Sequence, residues 1–204
     1  MKKLILLLLL AVSTIASAQV VTIKHTAYEI RFDTQIKEPL WTYYVLTKEH
    51  ANHLATDKRM AFHSDSLVCL KCQATDYDFK GFNKIYDKGH LSPYKDFTWS
   101  KRTEKESMVL TNQAPQVSAF NEVLWRMLEN YVRTVATKED VKVYTGVIYG
   151  TRKAGTLLVP DYYWKLIQHS NGTYEGWKIP NQIPTTKDFN VYKIDTNELL
   201  KLIR

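Results

Sequence analysis

Hydrophobic and polar positions divide the chain unevenly. It opens with an unbroken apolar run, Leu4 to Val12, behind Lys2 and Lys3, and small residues follow at Ala16-Ser17-Ala18. That order predicts a secretory signal peptide over residues 1–18, cleaved after Ala18. The run is too short to cross a bilayer, which takes about 20 residues. After cleavage no membrane association is expected, and the protein is exported, either to a periplasm or out of the cell. Beyond it the pattern becomes that of a folded domain. Val20 to Ile30 alternate loosely and predict an opening strand, and Trp41 to Leu46 is strand-prone through its aromatic and β-branched residues. Lys58 to Cys72 is mixed, with one short strand expected, and Asp76 to Lys88 is polar, Asp-rich and expected as a loop. Met108 to Thr111 predicts a short buried strand. The clearest helix spans Asn121 to Val135, where Leu124, Leu128, Tyr131 and Val135 recur at helical spacing. Glu122, Arg126, Asn130 and Arg133 occupy its other side. Val141 to Ile148, Tyr162 to Ile167 and Thr173 to Ile179 predict three further strands, the last two joined by a turn at Ser170-Asn171-Gly172. Asn197 to Arg204 is a short helix or tail. Many strands around one strong helix give a mixed α+β class, and residues 19–204 are expected to form one domain, since no linker or repeat divides them.

Composition adds little to that picture except at two points. At 45% hydrophobic and 24% charged, with thirteen Tyr and five Trp, the chain is ordinary for a globular protein and can build a sizeable core. The formal charge is +7, and the signal peptide contributes two Lys and no acid, so the mature chain carries 7 − 2 = +5. A basic exported protein suits an anionic partner such as a nucleic acid, a polysaccharide or a membrane surface. Cys69 and Cys72 are the two cysteines. In an exported protein this spacing permits a disulfide across a tight loop. Their flanks do not read as the helix start that lowers a redox thiol's pKa, so a structural clip is favoured over thiol chemistry.

The chemistry concentrates in Asp87-Lys-Gly-His-Leu-Ser-Pro93, then Asn112-Gln-Ala-Pro-Gln116, then Asn121 at the helix start with Glu129 downstream. Histidine is the natural general base near neutral pH. A carboxamide oxygen is a hard neutral ligand, suited to Mg²⁺ rather than zinc or copper, and Mg²⁺ commonly completes its shell with water and phosphate oxygens. Together these residue types point to metal-assisted phosphodiester hydrolysis. Taken singly, each has an ordinary alternative: His90 as a hydrogen-bonding loop residue, Asn121 as a helix N-cap, Asn112 as a turn residue and Glu129 as a solvated acid.

The blocks Tyr86-Asp-Lys-Gly-His-Leu-Ser-Pro93, Thr111-Asn-Gln-Ala-Pro-Gln116 and Asn121 with Trp125 and Leu128-Glu129 resemble the DNA/RNA non-specific endonuclease family, which has the ββα-metal (His-Me finger) fold. The resemblance continues through Tyr144-Thr-Gly146, Val159-Pro-Asp-Tyr-Tyr-Trp-Lys165 and Ile179-Pro-Asn181, and covers roughly residues 40 to 190. It implies a mainly antiparallel central sheet with a catalytic strand-loop-strand-helix element. It also implies His90 as general base, Asn121 as direct ligand of Mg²⁺ (or Mn²⁺ in its place), and Asn112 and Glu129 as holders of the metal's waters and neighbouring hydrogen bonds. Glu129 lies eight residues past Asn121, an axial rise of about 12 Å, which favours an indirect role at the metal. Arg59, in Arg59-Met-Ala-Phe62-His-Ser-Asp65, matches the family arginine that stabilises charge on the phosphate. DNA and RNA are the implied substrates, cut with little sequence preference to leave 5′-phosphate and 3′-hydroxyl ends. One residue departs from the pattern. Lys88 stands where the family has arginine, keeping charge at a substrate-binding position but losing the two-pronged phosphate grip. That departure motivates an alternative, a nucleic-acid-binding protein of the same fold with weakened catalysis. A second alternative is an exported thiol oxidoreductase acting through Cys69 and Cys72.

Overall fold

The structure is a computed structural model that describes residues 20–53, 59–80, 82 and 85–203. The expected signal peptide over residues 1–18 lies outside the described residues, as do Lys58 and Arg204. The opening strand expected over Val20 to Ile30 is instead a pair, β1 (Val20–Lys24) and β2 (Tyr28–Asp33), folded back on each other. The turn between them is fixed from a distance. The Thr26 N–H and hydroxyl both donate to the Glu106 carboxylate, at 2.7 and 2.8 Å. No local pattern carries that signal.

The chain continues through β3 (Glu38–Leu46), β6 (Val141–Ala154), β7 (Leu157–Gln168) and β8 (Tyr174–Pro180), all joined to β1 and β2 in one antiparallel sheet of order β1-β2-β3-β6-β7-β8. The α+β class and the antiparallel sheet are as expected. Strand alternation sends Tyr28, Ile30 and Phe32 of β2, Tyr44 and Leu46 of β3, Val143 of β6, and Tyr163 and Ile167 of β7 to one face. After the short helices α1 (Lys48–Asn52) and α2 (Lys101–Ser107) comes α3 (Arg126–Ala136), which lies against that face and buries Leu128, Val132 and Ala136. The apolar stripe is therefore rotated from the expected one: Tyr131 and Val135 are only half-buried, and Arg133 points inward. Arg133 is held there by Asp96, whose carboxylate accepts from its Nη1 at 2.7 Å and from the Tyr44 hydroxyl at 2.6 Å. A charge pattern alone cannot anticipate a buried partner thirty-seven residues away. On the sheet's other face, Trp164 and Leu166 pack under Leu199 of the short C-terminal helix α4 (Thr196–Leu200). Cover on both sides explains why the middle of β7 is apolar at consecutive positions.

Two further expectations need correction. No strand forms between residues 59 and 72; the described part holds one isolated pairing, His63 with Val109, and a single 3₁₀ turn at Leu70–Cys72. Its backbone is satisfied instead by Gln73, whose Oε1 accepts from the Asp65 N–H at 2.7 Å and whose Nε2 donates to the Asp65 and Val68 carbonyls. Met108 to Thr111 is buried as expected but is not a strand. It leads into a 3₁₀ turn, Leu110–Asn112, and the strand β5 (Gln113–Val117) follows. Cys69 and Cys72 form the expected disulfide, with Cα atoms 5.2 Å apart.

A cluster of charged groups staples the sheet's edge. His169 Nδ1 meets Glu139 at 2.9 Å and its Nε2 meets Glu175 at 3.1 Å, while Lys193 and the Tyr131 hydroxyl also reach Glu175. Burial works against the His169 imidazolium, but the hydrogen bonds to the two glutamates outweigh it and raise its pKa. Its stabilisation is therefore complete below the unfolded value of about 6.5 and is lost as pH rises through the raised folded value. We expect His169→Ala to lower Tm by roughly 2–4 °C at pH 5.5, with the gap to wild type closing by pH 9, in paired thermal melts. For the disulfide, the closed loop is so short that removing it as Cys69→Ser/Cys72→Ser should cost at most about 2 kcal/mol in urea unfolding.

Candidate active site

The site is assembled on a two-stranded ribbon, β4 (Tyr86–His90) and β5, paired antiparallel with Asp87 opposite Gln116 and His90 opposite Gln113. Residues 86–88, expected at the end of a loop, are thus already strand. That matters for geometry, because Lys88 and His90, two apart on a strand, share a face. Gly89 between them is required by packing: a Cβ there would fall 2.3 Å from the Gln116 Oε1. Past His90 the chain is clamped by Asn112. Its backbone carbonyl accepts from the Leu91 N–H at 3.0 Å, its Oδ1 accepts from the Ser92 N–H at 2.9 Å, and its Nδ2 donates to the Ser92 and Ser107 carbonyls.

Asn121 enters from the other side. The helix it belongs to is already wound at Ala119, and a wider π-helical stretch, Phe120–Trp125, leads into α3. Asn121 is therefore inside the helix and not its cap. Its Nδ2 donates to Asp87 Oδ2 at 2.8 Å, and the Ser118 hydroxyl donates to Asp87 Oδ1 at 2.8 Å. Because a carboxamide is planar, fixing the nitrogen on Asp87 turns the Asn121 oxygen away from that bond and leaves it as the atom to offer a cation. Asp87 opens the chemical motif in the sequence, but its partners become visible only when β4 and the helix start are brought together.

His90, Asn121, Arg59, Lys88 and Glu129 all line one cleft of about 870 Å³. Asn112 does not: it is fully buried and its amide is spent on backbone groups beneath the ribbon. Arg59 Nη2 stands 3.4 Å from both ring nitrogens of His90, so the guanidinium lies over the imidazole face and is not bonded in its plane. Phe62 flanks both, 5.2 Å from the His90 ring centroid and 5.0 Å from the Arg59 guanidinium carbon. Packed in this way, His90 keeps one open edge on the cleft, yet burial and then the Arg59 charge push its pKa well below the usual value. A neutral imidazole at physiological pH is the form able to accept a proton.

Glu129 sits above the buried charges of the core. Burial raises its carboxyl pKa to about 7, against the opposing pull of Lys165 and Arg133. Lys165, 1% exposed, has its pKa lowered to about 8 by burial, with Glu129 and Asp96 resisting. Its Nζ donates to Thr145 Oγ1 at 2.6 Å and lies 4.8 Å from the Trp125 ring centroid. Lys165 and Asp96 were missed as parts of this arrangement, although a lysine between Trp164 and Leu166 in a strand is a signal that it needs buried partners. Among the described residues no three His, Cys, Asp or Glu side chains cluster as a metal cage. The Asn121 carboxamide oxygen is a hard donor that fits Mg²⁺ with water and phosphate filling the rest of its shell, and the Asp87 and Glu129 carboxylates line the same cleft.

Known proteins resemble this chain in sequence and in fold. The family model for DNA/RNA non-specific endonucleases matches residues 9–202. Mitochondrial endonuclease G of Bos taurus is 30% identical over 124 residues, which are 60% of this chain and 41% of that protein. The matched stretch thus spans about two-fifths of that relative's length. A nuclease of Serratia marcescens is 26% identical, covering 91% of this chain and 73% of its own. Among solved structures, an EndoG/EndoGI complex superposes with a TM-score of 0.75 at 23% identity, over 88% of this chain and 82% of that one, which shows the shared fold. With the family model matching residues 9–202, the chain belongs to the DNA/RNA non-specific endonuclease family.

Proposed function

We propose that this protein is an exported endonuclease that hydrolyses phosphodiester bonds of DNA and RNA with little regard for sequence, using His90 as general base and a Mg²⁺ (or Mn²⁺) site on Asn121. The observation that carries the reading is the pairing in one cleft of a neutral, desolvated imidazole with a carboxamide whose nitrogen is pinned to Asp87. His90 accepts a proton from a water lined up on the phosphorus; the water oxygen bonds to phosphorus as the bond to the 3′-oxygen breaks, and the leaving oxygen takes a proton from solvent water, giving 5′-phosphate and 3′-hydroxyl ends. Arg59, held over His90 and partly desolvated, places a guanidinium where charge grows on the phosphate. When bound, the divalent cation supplies further charge neutralisation at the phosphate. Glu129 holds water or hydrogen bonds at the edge of the metal's surroundings, and Asn112 acts at one remove by fixing the turn behind His90. Export rests on the sequence pattern of residues 1–18.

The general base is the sharpest test. A positioned base contributes about 10²- to 10⁴-fold, so His90→Ala should cut plasmid cleavage at least a hundredfold while metal-dependent filter binding of DNA survives. Asn121→Ala should lose turnover together with Mn²⁺ affinity, read by electron paramagnetic resonance. Near wild-type cleavage by His90→Ala would refute the assignment.

A further inference from the structure

Lys88 does not wait in the cleft as a free cation. Its ammonium lies 5.1 Å from the Phe62 ring centroid and 5.0 Å from that of Phe79, and it forms an ion pair with Asp76. The lysine side chain is 23% exposed and the aspartate 65%, so the aspartate closes the lysine's open side from the solvent edge. Asp76 is brought there by a tethered loop. Two residues on, Asp78 accepts from the Thr75 N–H and hydroxyl at 2.8 and 2.7 Å and from the Thr156 hydroxyl on the β6–β7 connection. On the inner side Phe79 is buried in a small cluster with Leu110 and Leu157. Anchored at both flanks, the loop sets a carboxylate against the cation that stands two residues from His90 on the same strand face.

We infer that Asp76 belongs to the substrate-binding machinery, occupying on Lys88 the place that a backbone phosphate of nucleic acid takes over, and so setting how tightly the cleft holds its substrate. The inference rests on the nuclease reading of the cleft. An ammonium suits such an exchange, since it is a compact point charge with three equivalent donors and can pass from one oxygen to another without re-registering a fork. The physical consequence concerns salt. A lysine that neutralises a phosphate normally releases a counterion from the nucleic acid, adding about 0.9 to the salt slope on duplex DNA. Here a phosphate that captures Lys88 leaves the Asp76 carboxylate unpaired beside it, and local charge is not reduced. Lys88 therefore contributes little to the slope while Asp76 is present.

The test uses the full protein carrying His90→Ala, with Mg²⁺, and measures fluorescence anisotropy of a labelled duplex between 50 and 200 mM salt. Adding Asp76→Asn should tighten binding about three- to tenfold at the low-salt end and steepen the slope by about 0.9. In a Lys88→Gln background the same change should do neither, which a double-mutant cycle isolates. Unchanged or weaker binding by Asp76→Asn would overturn the inference, as would an equal gain in the Lys88→Gln background, which would mean a general field effect. Thermal melts establish that each variant is folded. If the His90→Ala parent fails to bind the duplex at all, the nuclease reading itself falls, and if it cleaves at near wild-type rate the His90 assignment falls; both results are distinct from the other two.

Discussion

Asp87 carries two hydrogen bonds, one from Ser118 and one from Asn121, and between them they join the ribbon to the helix. Everything chemical in the cleft depends on that junction. Without it, β4 and the π-helical stretch ahead of α3 would be two neighbouring elements with no reason for His90 and Asn121 to address the same volume. With it, the orientation of one carboxamide is decided by a carboxylate from the strand that also carries His90. In the reading we propose, that is an outer carboxylate orienting a metal ligand, which sets the geometry of the ligand atom. Gly89 and Asn112 complete the arrangement, one by letting Gln116 pack flush against the strand, the other by clamping Leu91 and Ser92.

Beneath the cleft the fold places charge where a small core would not ordinarily tolerate it. Asp96, Arg133 and Lys165 are all buried or nearly so; Asp96 and Arg133 pair with each other and with Tyr44 and Asn130, while Lys165 bonds to Thr145. Such a set is costly to desolvate and is no gain in stability over apolar packing. Its effect is electrostatic: the cations below draw Glu129 back toward ionisation against a burial that raises its pKa to about 7. The cleft is therefore lined by a neutral imidazole at His90, a cation at Arg59 and an acid whose charge is finely balanced.

Much of the framework is legible in the sequence. Strand alternation, the helix over Asn121 to Val135 and the turn at Gly172 (φ +85°) follow from periodicity and turn chemistry. The motif spacing brings out His90, Asn121, Arg59, Lys88 and Glu129, and the fold brings all five to one cleft. The rest depends on partners far along the chain. Thr26 turns because of Glu106, the segment before the disulfide is held by one glutamine, and Arg133 points inward because of Asp96. Asn112 is recognisable as a motif residue but not as one buried under the ribbon. Asp87 is recognisable as the start of the chemical motif, but its hold on Asn121 is not, because the helix lies thirty-four residues on.

The central proposal is that Asp87 orients Asn121 toward a bound divalent cation. Mn²⁺ affinity and plasmid turnover of folded Asp87→Ala, measured side by side, test it. Loss of an orienting carboxylate should weaken metal binding by about 10- to 100-fold, with turnover falling in step. Unchanged Mn²⁺ affinity in this variant would contradict it, since Asn121 would then need no orienting partner, or would not be the ligand.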